Sequence, residues 1–170
     1  MEAFPALVAA LDAERARFVL IGVWAANLHA RSAAAVFTTQ DYDLFLPADV
    51  DNALRVWRTC ESMGLDLLSG DEPLDKPRDR LLAERVVQTR ALVRATDGQG
   101  LDVDLTLVME GFEFEEVWAE RRIYLLEGVE VPAARLSHVV RSKAAAGRPK
   151  DLLFLATHEE ALRDLLKRED

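Results

Sequence analysis

The chain has 170 residues, 30 acids against 21 bases, a formal charge of −9 and a half-hydrophobic composition, enough for one core and little more. That balance excludes a largely disordered chain and makes non-specific nucleic-acid binding unfavourable, because phosphate attraction needs basic surface. No stretch approaches the ~20 apolar residues of a spanning helix. The first residues carry acids before bases, unlike a secretory signal, and the single cysteine, Cys60, has no internal disulfide partner. A cytoplasmic protein without membrane contact is expected.

Phe4, Leu7, Val8 and Leu11 fall at helical spacing and predict a helix over 3–15. Phe18 to Ile21 is a short apolar run ending in Gly22, a buried strand, and Trp24 to Arg31 is helical and rich in Ala. Residues 32–40 are small and polar, a loop. Tyr42, Leu44 and Leu46 alternate with Asp41 and Asp43 in a strand closed by Pro47. Asp49 caps a helix to about Met63, stopped by Gly64, and residues 69–80 form the one long loop. Residues 84–95 alternate loosely as a strand, Gly98 and Gly100 make a turn, and Leu101, Val103, Leu105 and Leu107 alternate in a second strand, so the two form a hairpin. A short helix over Phe112–Glu120, small strands at Ile123–Leu126 and Val129–Val131, and a helix from Leu136 to Ala146 stopped by Gly147 follow. Pro149 opens a last amphipathic helix to about Lys167. The expected fold is a single α/β (α+β) domain over 1–170 with a mixed sheet flanked by helices.

Four features carry candidate chemistry. Asp41 and Asp43, at i and i+2 on a strand, point to one face, where two carboxylates repel unless a cation lies between them. Oxygen-only pairs suit Mg²⁺. Taken alone, such a pair reads first as the solvated edge of an amphipathic strand. Asp102 and Asp104 repeat the pattern, and one of them beside the first pair would complete a metal site or act as general base. The spacing does not choose between them. Gly22, after a buried strand and before a helix, can present backbone N–H groups to a phosphate, although a simple tight turn has the same sequence. The run from Arg141 to Lys150 holds four bases and no acid; Lys143 and Arg148 could reach phosphates, or the charges could complement a helix C-terminus. His29, His138 and His158 lack metal-ligand spacing, and Cys60 on a helix reads as core.

In order, FVLIG…A..LHA (18–30), TTQDYDL (38–44), LDVDL (101–105), EGFEFEEVWAERR (110–122) and RSKAAAGRPKDLLFL (141–155) resemble the nucleotidyltransferase-fold (DNA polymerase β-like) superfamily. The nearest likeness is to small bacterial relatives of abortive-infection nucleotidyltransferase toxins. The resemblance implies that Gly22 belongs to a nucleotide-binding turn, that Asp41 and Asp43 bind metal, and that Lys143 and Lys150 are the basic positions of the last motif, with Asp151 as its acid; Val23, next in the turn, and Arg148, by its charge, join the expected nucleotide-binding residues. Counting back from Gly111 makes Asp104 the third metal-binding and catalytic carboxylate. It implies two Mg²⁺ (or Mn²⁺) ions and transfer of an NMP from an NTP to an acceptor hydroxyl with release of pyrophosphate. The acceptor is a protein side chain, an RNA 3′ end or a small hydroxylated molecule. Val23, Ala30 and Phe37 depart from the pattern, where relatives often carry Gly or Ser, Gly and Arg. These departures support the alternative, a non-catalytic member acting through protein contacts, with an antitoxin-like partner in a toxin–antitoxin or phage-defence pair. A third, a metal-dependent phosphohydrolase, would use the same carboxylates.

Overall fold

The computed structural model describes residues 1–30, 37 and 41–169. Helix α1 (Ala3–Ala13) buries the expected stripe of Phe4, Leu7, Val8 and Leu11. It is followed by β1 (Val19–Ile21), buried throughout, which runs directly into α2 (Gly22–Ala30). After β2 (Asp41–Phe45), helix α3 (Val50–Ser62) begins where the Asp49 carboxylate accepts the Asn52 N–H at 3.1 Å. The chain continues through β3 (Asp66–Ser69), β4 (Glu72–Pro73), α4 (Arg80–Thr89), β5 (Val93–Thr96) and β6 (Asp102–Thr106). It ends with α5 (Phe114–Ala119), β7 (Arg122–Leu126), β8 (Val129–Ala133), α6 (Leu136–Ala146), α7 (Pro149–Thr157) and α8 (Glu159–Arg168).

The described strands form one mixed sheet in the order β4-β3-β5-β6-β2-β1-β8-β7. The pairs β2–β6 and β1–β8 are parallel, and the other neighbours are antiparallel. Alternation sorts the central strands by face: Val93 and Ala95 on β5, and Val103 and Leu105 on β6, are buried in the main core. Their neighbours Arg94, Thr96, Asp102 and Asp104 therefore stand on the opposite face. A second, smaller core of Ala26, Ala30, Phe37, Leu136, Leu162 and Leu165 joins α2, α6 and α8.

The α+β class, the mixed sheet, the β5–β6 hairpin and the α6 stop at Gly147 match the sequence reading. Three spans differ. Residues 69–80 are not one loop, because Ser69 pairs with Glu72 around Gly70 and Asp71 in a short β3–β4 hairpin. Residues 84–89 are helix rather than strand: Asp79 accepts the Leu82 N–H to start α4, which buries Leu82, Ala83 and Val86 on one side. Two adjacent valines fit a strand as readily as a helix, so local pattern misjudged this segment. The last helix is two, because His158 leaves the helical region (φ −109°, ψ 19°) and packs against Phe37 at 4.7 Å and Phe154 at 4.9 Å. The turn lets Leu162 and Leu165 of α8 enter the second core. The loop expected over 32–40 lies outside the described residues except for Phe37. No helix among the described residues is long and apolar enough to cross a membrane.

Candidate functional site

The parallel β2–β6 register pairs Asp41 with Asp102 and Asp43 with Asp104. Partners on adjacent strands stand about 4.8 Å apart, and residues i and i+2 share a face. The four aspartates thus make a two-by-two array on the polar face of the sheet. Asp104 is the one beside Asp43, and Asp102 lies beside Asp41. Both β6 carboxylates share the face, in different rows.

Asp43 is the most confined member. Antiparallel pairing sets Ile21 across from it, so the following residue, Gly22, runs alongside. A Cβ on Gly22 would lie 2.5 Å from Asp43 Oδ2, and Gly22 has a φ of +70°, so glycine answers both space and conformation. Burial, then the charges of Asp104 and Asp41, push the Asp43 carboxyl up to about 6, against the opposing pull of Lys143 and Lys150. Val23, next in the turn, is partly buried and packs on the second core.

The basic segment divides in role. Lys143, on α6, has a side chain only 14 % exposed; its Nζ lies 3.6 Å from Asp151 Oδ1 and 4.8 Å from the Phe154 ring centre. Burial lowers its pKa against the attraction of Asp151 and Asp43. Arg148 places its guanidinium fork on Asp151 at 2.6 and 3.3 Å. Burial of Asp151 would raise its pKa, but the bond from Arg148 and the two cations bring it below the usual carboxylate value. Lys150 is exposed, and its charge acts on Asp43. At the α6–α7 junction Lys143 and Arg148 both engage Asp151, while the charges of Lys143 and Lys150 act on Asp43.

Sequence reasoning missed Arg94. It stands opposite Asp104 in the β5–β6 register, donating from Nε to Oδ1 at 2.8 Å and from Nη2 to Oδ2 at 3.2 Å. The same Nη2 reaches Asp41 Oδ2 at 3.3 Å. The signal was present in the hairpin: a turn centred on Asp97–Gly100 puts Arg94 across from Asp104, but placing 84–95 as one long strand hid the register. The histidines and Cys60 behave as expected of structural residues. His29 Nε2 lies 2.9 Å from the Ala134 carbonyl, and Tyr124 Oη lies within hydrogen-bond distance of Nδ1. Cys60 is buried in α3, and burial pushes its thiol up to about 12.

Among the described residues no group of three or more His, Cys, Asp or Glu side chains is arranged to hold a metal ion. In chemistry, the donors do fit a hard divalent cation: oxygen ligands only, with Asp43 raised by burial first and then by its acidic neighbours. The cation that joins two of them here is the Arg94 guanidinium. Compared with known proteins, the chain matches no family model and no curated sequence.

Proposed function

We propose that the protein is a metal-dependent nucleotidyltransferase, with the polar face around Asp43 as its active site. The observation that carries this reading is the packing of the Asp43 carboxylate against the glycine turn that opens α2, with Asp104 beside it and Lys143 and Lys150 acting on it. A strand-to-helix turn offers N–H groups to a phosphate, and the two lysines add positive charge at the same edge. Asp41, Asp43 and Asp104 are the residues that would hold Mg²⁺ or Mn²⁺. When bound, such an ion neutralises phosphate charge and lowers the pKa of a coordinated hydroxyl. The chain's own contributions are to anchor the triphosphate at Gly22, Lys143 and Lys150 and to orient an acceptor hydroxyl at Asp104. Transfer of an NMP with release of pyrophosphate is the reaction this arrangement supports.

A second reading, a non-catalytic nucleotidyltransferase-like protein acting through protein contacts, draws on two observations. Arg94 engages two of the three carboxylates. Phe37, where relatives often carry Arg, is buried, exchanging hydrogen bonds with the Asn27 side chain through its backbone at 2.6 and 2.8 Å. Incubation with each α-labelled NTP, Mg²⁺ or Mn²⁺ and lysate as acceptor source separates the two. Labelled acceptor and released pyrophosphate are expected. Nucleotide binding without transfer in any combination would favour the second reading, and release of inorganic phosphate instead would indicate a phosphohydrolase.

A further inference from the structure

Arg94 is held by geometry rather than by proximity alone. Its planar guanidinium offers parallel donors from Nε and Nη2 to the two oxygens of Asp104, and the same Nη2 turns to Asp41. From β5 it reaches partners on two other strands, β6 and β2, at sequence separations of 10 and 53 residues. A fork of this kind is the strongest geometry available to a cationic side chain, and arginine stays charged at any working pH. Asp104 is 15 % exposed and Arg94 35 %, so the carboxylate is shielded while the guanidinium has a path to solvent.

We propose that Arg94 is a resident cation occupying the place a divalent ion would take between Asp41 and Asp104, and that loading the site requires Arg94 to leave. This rests on the reading of the three aspartates as metal ligands. A divalent ion at those oxygens and a guanidinium bonded to them repel, and the guanidinium already lies against both oxygens of Asp104 and Oδ2 of Asp41. The ion therefore binds only the fraction of molecules in which Arg94 has swung away, and its apparent affinity falls by that fraction. An incoming triphosphate supplies the displaced guanidinium with a new anionic partner, so Arg94 couples metal loading to nucleotide arrival. It is a positioning residue of the site.

The test is binding of Mn²⁺ alone, followed by the electron paramagnetic resonance of the free ion, to the wild-type protein, Arg94→Gln and Arg94→Lys. Arg94→Gln is expected to bind Mn²⁺ roughly tenfold tighter or more. Arg94→Lys keeps the charge but loses the fork, so it is expected to fall between the other two. A general field effect predicts Arg94→Lys equal to wild type, which would overturn the proposal. In wild-type protein carrying ¹⁵N-labelled arginine, the Arg94 Nε–H resonance is expected to move or broaden on addition of Mg²⁺. This measurement holds even where a variant fails to fold. An Arg94 resonance unchanged by saturating Mg²⁺, or Arg94→Gln binding no tighter than wild type, would overturn the role of Arg94 and leave the carboxylate site standing. Absence of Mn²⁺ binding in every folded form would overturn both.

Discussion

The Asp43 carboxylate occupies the space in which a side chain on Gly22 would begin, 2.5 Å from an ideal Cβ to Oδ2. The nearest atoms around that Cβ position all belong to Asp43, so a substitution there is felt directly by the candidate ligand. The contact links the end of β1, the start of α2 and the middle of β2 at one point.

Gly22→Ala is therefore expected to destabilise the protein by about 2 kcal/mol, through the left-handed φ of +70° and displacement of the carboxylate. Nucleotide-dependent stabilisation should fall further than the stability itself. Urea unfolding and melting curves with and without NTP and Mg²⁺ read both. A melting temperature and NTP shift equal to wild type would show that the turn tolerates the methyl and that the contact has no functional consequence.

What the sequence made legible was mostly periodic. The D-x-D pairs announced their own face through alternation, and Gly64 and Gly147 marked helix ends, as Pro149 marked a start. What it hid was non-local. Arg94 becomes part of the site only once β5 is paired with β6 in register and β6 with β2. The break at His158 depends on packing against Phe37, more than a hundred residues earlier. The short β3–β4 hairpin exists because β3 pairs with β5 on its other side, which a Gly-Asp turn alone does not reveal.

Asp43→Asn is expected to stabilise the metal-free protein at neutral pH while abolishing transfer. The folded-state carboxyl is raised to about 6 from 3.8, so folding favours its protonated form. Its contribution to stability is full below pH ~4 and is lost as pH rises through about 6. Asn carries no charge at any pH, so the variant should gain about 2 kcal/mol over wild type above pH ~7 and none below pH ~4. Chemical denaturation across pH 3.5–8 checks this. A constant difference across that range would mean that the carboxylate is not crowded as described.

Glu169 caps α6 from far along the chain, accepting the Leu136 and Ser137 N–H groups at the start of the helix that carries Lys143. Arg135 lies beside it at 3.5 Å. Burial would raise its pKa, but the bonds from Ser137 and Leu136 and the charge of His29 outweigh it and lower the value. The cap is thus expected to contribute fully above the unfolded pKa of about 4.5 and to weaken as pH falls through the lower folded value. Glu169→Ala should cost about 1–2 kcal/mol at pH 7. Hydrogen exchange at the first turn of α6 should accelerate in step. Unaltered exchange there would show that water satisfies those N–H groups equally well.

Asp102 and Asp104 share a face but not a row, and their Asn variants should part company. Asp104 is the leading charge that raises the Asp43 pKa, whereas Asp102, a row away, is not among the main contributors. Asp104→Asn should therefore bring Asp43 down toward the ordinary carboxylate range, while Asp102→Asn leaves it near 6. Asp104→Asn also takes the anionic partner from the Arg94 fork, leaving Arg94 with Asp41. A charge-assisted fork on a partly shielded carboxylate contributes about 1 kcal/mol, offset by the relief at Asp43, so the net change in stability should be small. Function should not be small: transfer is expected to vanish in Asp104→Asn and persist in Asp102→Asn. Carboxyl ¹³C titration of Asp43 in both variants, beside labelled-NTP transfer, provides two independent readings. Transfer lost in Asp102→Asn and retained in Asp104→Asn would move the third ligand to the outer row, next to Asp41. Retention in both would confine the site to β2 and withdraw β6 from the chemistry.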